Sequence, residues 1–137
     1  SKAFRERRVN KRYVAIVNGV MANDQGSIDF PLIADWPNRP RQKIDFETGK
    51  PSLTHYRVLE RNLSENWTRV DLEPYTGRSH QLRMHLMALG HPILGDPLYA
   101  DPQTFVRAPR MTLHAAHLDL DHPLTGAKLS FDSPVPF

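Results

Sequence analysis

Between Tyr13 and Phe137 only one stretch of the chain repeats at the spacing of a helix. Leu82, Leu86 and Leu89 lie four and three residues apart, a single apolar stripe, and Gly90 supplies a stop. Ser79, just before the stripe, is the expected N-cap. The other patterned segments alternate with period two. Tyr13, Ala15 and Val17 oppose Val14 and Ile16 in a strand closed by Asn18-Gly19. LTHYRVLER and NWTRVDLEP read as a strand pair, as do HAAHLDL and KLSFDS. Residues 23–49, interrupted by Pro31, Pro37, Pro40 and glycines, read as irregular, and SKAFRERRVNKR reads as the end of a helix. Strands with one marked helix and no βαβ alternation predict an α+β fold: a mainly antiparallel, mixed sheet with few helices.

Composition narrows the function classes. At 137 residues the chain is about one domain long. No apolar run approaches a membrane span. The absence of cysteine removes disulfides, thiolate metal sites and thiol nucleophiles, and suits a reducing, cytoplasmic setting. A net charge of +3 is mild, but its distribution is uneven. Lys2, Arg5, Arg7, Arg8, Lys11 and Arg12 crowd the start, and Arg39, Arg41 and Lys43 share the segment DWPNRPRQK. Such clusters are either solvated faces or contacts for a polyanion.

The histidines do not form a metal site by spacing. His80 and His85 are five apart, about 140° out of phase on a helix, and His114 and His117 fall on opposite faces of a strand. No G-x-S-x-G elbow, P-loop or G-x-G-x-x-G is present. What remains is the helix start GRSHQLR. Arg78 and Ser79 lie where exposed amides and the helix dipole favour an anion. Arg83 follows a core leucine and is expected to be partly buried, which calls for a carboxylate partner; Asp96 and Asp71 are candidates within the chain. Tyr13, taken alone, reads as a packing residue of its strand.

Three ordered motifs change this reading. They are Lys11, Tyr13, Ala15, Val17 and Gly19 (K-x-Y-x-A-x-V-x-G); Thr76, Gly77, Arg78, His80, Gln81 and Arg83 (T-G-R-x-H-Q-x-R); and Gly90, Pro92, Ile93, Gly95, Asp96 and Tyr99 (G-x-P-I-x-G-D-x-x-Y). In that order, and with GKPSLTHY and LHA, they resemble the RluA-type pseudouridine synthases, and DWPNRPRQK resembles the RluA subgroup in particular. The resemblance runs essentially end to end. It implies an isomerase that turns uridine within RNA into its C-glycoside, needs no metal or organic cofactor, and acts on stem-loops of ribosomal and transfer RNA rather than at a membrane. It implies further that Arg83 pairs with a catalytic aspartate, that Tyr13 packs on the uracil, and that Lys11, Arg39, Arg41, Lys43, Arg78, His80 and Gln81 face the RNA or tie the loop together. Asp96 is expected to be a structural cap.

The family's aspartate sits in an H-R-L-D segment ahead of the K-x-Y strand, and no aspartate of this chain has that context. The expectation is therefore that residues 1–137 form the C-terminal part of a catalytic domain, inactive alone, with Arg83 lacking its partner. The missing segment or another chain is expected to cover apolar surface. A non-catalytic RNA-binding module on the same scaffold is the alternative.

Overall fold

The computed structural model describes residues 9–137. The basic residues before Val9, and the helical reading of that part, lie outside the described residues. Val9, Asn10, Lys11 and Arg12 do not continue a helix: they open strand β1 (Val9–Asn18). The helix-forming composition of this segment is overridden because β1 is paired on both sides. It runs antiparallel to β6 (Trp67–Pro74) and β7 (Leu113–Asp121), with a register shift between Arg12 and Tyr13 against β7. A bulge of this kind adds one residue to a strand and re-aims the side chains beside it.

Among the described residues the main sheet has six strands in the order β2-β5-β6-β1-β7-β8, where β2 is Gln25–Asp29, β5 is Leu53–Asn62 and β8 is Lys128–Asp132. Every pairing among the described residues is antiparallel. The segment read as irregular holds β2 and a small hairpin, β3 (Leu32–Ala34) with β4 (Gln42–Ile44). Strands of three to five residues between prolines carry too little alternation to stand out, and pairing partners supply what the pattern lacks.

Helix α1 (Gln81–Ala88) lies over one face of the sheet. Leu82 and Leu86 pack with Ala15, Val17, Ile28, Val70 and Leu72 in a common core, and Leu89 borders it. Gly90, at φ +87°, turns the chain in the left-handed conformation that ends the helix. The following loop returns along β1: Asn18 N–H donates to Pro92 O (2.8 Å) and Leu94 N–H to Ile16 O (3.0 Å). A short helix α2 (Pro102–Phe105) follows, capped by the Asp101 side chain accepting from Thr104 N–H. Tyr13 is brought beside the N-terminal end of α1 by this packing, because it shares the covered face with Ala15 and Val17. Among the described residues no helix is long and apolar enough to cross a membrane.

Candidate active site

Beside the start of α1 is a pocket of about 280 Å³, near the lower end of the range for small-molecule sites (roughly 300 Å³). Tyr13, Pro74, Leu82 and Leu113 give it apolar walls, while Lys11, Arg78, His80 and Arg83 bring nitrogen donors to it. Tyr13 and Arg83, distant in sequence, thus line one cavity. Burial pushes the Tyr13 phenol above its ordinary value, so it stays protonated at neutral pH. A flat apolar wall with a cationic rim suits an aromatic base attached to a phosphate chain. No carboxylate lines this cavity among the described residues.

The helix start is not capped as the sequence suggested. His80, not Ser79, precedes α1, in the left-handed region (φ 54°, ψ 21°), with no side-chain cap bond. For a non-glycine residue that conformation costs on the order of 1 kcal/mol or more, so its surroundings must hold it. Gln81 does much of the holding. Its Oε1 accepts from Thr76 Oγ1–H (2.7 Å) and from Arg78 N–H (3.1 Å), while its Nε2 donates to Leu53 O (2.9 Å) and Thr54 Oγ1 (3.0 Å). With its amide fully engaged and the residue only 4% exposed, Gln81 ties the loop to β5 at the edge of the pocket it helps to line. The chain of bonds continues inward. His85 Nε2–H donates to Phe30 O (2.8 Å), which leaves Nδ1 to accept from Thr54 Oγ1–H (2.9 Å). Burial lowers the His85 pKa and keeps this ring neutral.

Arg83 points to a different neighbourhood. Its Nε and Nη2 donate to Asp96 Oδ2 and Oδ1 at 2.9 and 2.8 Å, a bidentate fork, so the guanidinium is not without a partner here. Asp96 is completely buried. Burial alone would raise its pKa, but the Arg83 fork and the amides of Leu98 and Tyr99 outweigh that and hold the carboxyl below its usual range. The reciprocal bond raises Arg83 further. Asp96 is therefore both the cap of its loop, as expected, and the anchor of Arg83. Gly95 makes the approach possible: a Cβ there would sit 2.2 Å from Arg110 O, at φ +81°. Asp96 takes the Nε–Nη2 edge of the guanidinium, leaving the Nη1 edge for another acceptor.

Tyr99, part of the loop motif but given no role by the sequence, joins the parts. Its ring packs 5.1 Å from Arg83 Cζ and 5.0 Å from Arg41 Cζ. Its hydroxyl accepts from Gln42 N–H (2.8 Å) and meets His80 Nδ1 at 2.7 Å. With the amide donating to the phenol oxygen, the phenol proton is free to bond Nδ1. Burial first, then Arg83, lowers the His80 pKa against the opposing pull of Asp96. The signal was present in the Gly95-Asp96-x-x-Tyr99 spacing, which sets a tyrosine one turn beyond the acid that grips Arg83.

The second basic group does not enter the pocket. Arg39 and Lys43 are exposed on the β3–β4 arm. Arg41 is half-buried, its Nη1 donating to Leu98 O, so part of its function is to fasten the arm. Arg78 lines the pocket while its Nε donates to Pro51 O (3.1 Å). Arg12 and Asp71, the other acid considered for Arg83, pair with each other at 2.8 Å.

Comparisons with known proteins agree with this geometry. A family model described as RNA pseudouridylate synthase matches residues 1–88. The chain is 57% identical over 136 residues to the dual-specificity RNA pseudouridine synthase RluA of Pasteurella multocida, covering 99% of this chain and 62% of that protein. It is 52% identical to the protein of the same name from Escherichia coli, with the same coverage. It thus spans less than two-thirds of the length of these relatives. Among solved structures, human RNA pseudouridylate synthase domain containing 1 superposes with a TM-score of 0.84 at 35% identity, over 99% of this chain and 58% of that one. Human RNA pseudouridylate synthase domain containing 4 gives 0.76 at 27% identity, over 98% and 61%. With the motifs of β1 and α1 lining one cavity and the Asp96 loop holding Arg83, the chain belongs to the RNA pseudouridylate synthase family and resembles its RluA-type members.

Proposed function

We propose that the full-length protein is a cytoplasmic RNA pseudouridine synthase acting on uridines in stem-loops of ribosomal or transfer RNA. The reaction breaks the N1–C1′ glycosidic bond, turns the uracil in the pocket, joins C5 to C1′, releases the C5 proton and leaves N1 protonated from solvent. It calls for no metal or cofactor. The target base must first leave its stack, at a cost of a few kcal/mol that is least in loops. Residues 1–137 contribute the C-terminal part of the catalytic domain. Tyr13 packs against the uracil, Arg83 steers the reacting aspartate through its Nη1 edge, and Lys11 and Arg78 meet phosphates. The aspartate comes from outside the described residues, and its segment, or another chain, closes the cavity and covers neighbouring apolar surface.

The carrying observation is that Tyr13 and Arg83 share one cavity that no carboxylate lines among the described residues. Release of tritium from transcripts labelled at uridine C5 tests the reading. Full-length protein is expected to release it from ribosomal or transfer RNA stem-loops, and the 137-residue chain to release none. Turnover by the 137 residues alone would overturn the placement of the aspartate. A full-length protein that binds these RNAs with no turnover would be a binding module on the same scaffold.

A further inference from the structure

Trp36 occupies a place that the core does not require. Its side chain stands in the turn between β3 and β4, and the residue is 68% exposed. An exposed indole is usually free to move, but this one is held. The guanidinium of Arg39 lies 4.4 Å from the ring centroid, and Arg39 Nη1 donates to the carbonyl of Trp36 at 2.8 Å. Trp36–Asn38 form a 3-10 turn with proline in its first positions. Asn38 closes the turn with its backbone N–H to Asp35 O (2.9 Å) and its side-chain amide to Asp35 Oδ2 (3.0 Å). One face of the indole is therefore backed by a cation and the ring plane is set in advance. A ring fixed in this way loses little freedom when a second flat group stacks on it.

The turn is also coupled to the pocket. Arg41 Nη1 bonds Leu98 O, Gln42 N–H bonds the Tyr99 hydroxyl, and that hydroxyl bonds His80 on the pocket wall. The arm thus holds Trp36 in a set position relative to the cavity. Its acid nearest in sequence, Asp35, already accepts from Asn38, whereas Arg39 and Lys43 are exposed cations on the same hairpin. This charge balance favours an anionic partner over a neutral or basic surface, and the flat, pre-set indole favours one that carries planar bases.

We propose that Trp36 is a base-stacking platform, receiving an unpaired RNA base on the indole face opposite Arg39, while Arg39 and Lys43 meet the adjoining phosphates. The inference rests on the RNA reading above and deepens it. The substrate class becomes RNA with at least one unpaired nucleotide besides the target uridine, presented outside the pocket. Stacking on an aromatic side chain changes affinity by roughly 5- to 100-fold per base and tolerates any base.

The test uses full-length protein and fluorophore-labelled ribosomal or transfer RNA stem-loops, read by anisotropy. Trp36→Leu is expected to weaken binding about tenfold, with an unchanged melting temperature and an unchanged slope against log salt. Trp36→Phe is expected to restore most of the affinity. Arg39→Gln is expected to reduce the salt slope, the signature of a lost phosphate contact. An abasic substitution at one unpaired position other than the target uridine is expected to weaken wild type about tenfold and Trp36→Leu hardly at all. Equal affinity of wild type and Trp36→Leu, or no abasic position that couples to Trp36, would overturn the platform. Loss of self-association in Trp36→Leu with RNA affinity intact would assign the ring to a protein contact and overturn it also. If wild type binds none of the RNAs, the RNA reading itself fails.

Discussion

Two polar assemblies share the start of α1, and helical phase separates them. Gln81 and His85, four apart, face β5 and join Thr76, Thr54 and Phe30 in a closed network of hydrogen bonds. Arg83 and His80 bond instead to Asp96 and Tyr99 and line the pocket, which Gln81 borders with its amide already engaged. In sequence, HQLRMH reads as one cluster. In space its members divide into an interior brace, whose donors and acceptors are satisfied internally, and a wall that keeps guanidinium edges open to a cavity. A buried polar network that is fully bonded fixes one arrangement, whereas an arginine held by one edge can still act with the other.

The comparison can be broken by removing members of each side in turn. Asp96→Ala is expected to do the most damage. It strands Arg83 and frees two loop amides, and should destabilise the full-length protein by about 3–5 kcal/mol, read as a lowered denaturant midpoint. A cost under about 1 kcal/mol would mean that the pair is dispensable. Gln81→Ala should cost about 2–3 kcal/mol, because groups on both sides of the loop lose a partner. The surviving folded fraction should keep its turnover. A variant of normal stability that has lost turnover would move Gln81 from the brace to the wall.

Protonation probes the brace without changing its shape. His85 is held neutral, with a folded pKa below its unfolded value of about 6.5. As pH falls below about 6.5 the unfolded chain takes up a proton that the native ring refuses, so stability should drop until the folded pKa is passed. His117, on β7, titrates with the opposite sign. Asp132 first and Asp119 second raise its pKa, so its contribution is full below about 6.5 and is lost as pH rises through the folded value. The informative quantity is therefore the difference between wild type and His85→Gln across pH 5 to 8 (roughly the histidine range). A flat difference would contradict the brace. The smallest effect on stability is expected for Arg78→Ala, within about 0.5 kcal/mol, with RNA affinity falling and the salt slope becoming shallower. An unchanged salt slope would make Arg78 a loop tie only.

Much of the fold was legible because its signals are local. The alternation of Tyr13, Ala15 and Val17, the two hairpins, the leucine stripe of α1 and the stop at Gly90 all stand where periodicity put them. The misreadings share a cause. Val9–Arg12 were read by propensity, and pairing with β7 overrode it. Ser79 was read by capping preference, but the chain enters α1 through His80 at φ 54°, and Gln81 N–H bonds Arg78 O instead. The β3–β4 arm was hidden by prolines and depends on Tyr99 and Leu98 for its place. In the site, Tyr13 and Arg83, which separate motifs single out, line one cavity. Spacing alone could not choose between Asp71 and Asp96 for Arg83. Register decides it: Asp71 lies beside Arg12 on the opposite face of the sheet from Tyr13, and Gly95 lets the Asp96 loop close on α1.

The proposed division puts Arg83 on the reacting wall and Gln81 in the brace. Arg83→Lys in the full-length protein, assayed by tritium release at saturating RNA, tests it most directly. Lysine keeps the charge but cannot hold Asp96 by one edge while presenting another. A loss of turnover of 100-fold or more (about 2.7 kcal/mol of transition-state stabilisation) is expected, with RNA affinity nearly unchanged. Turnover and affinity falling by the same factor would instead make Arg83 an RNA contact. Turnover that is unaffected would remove it from the reaction.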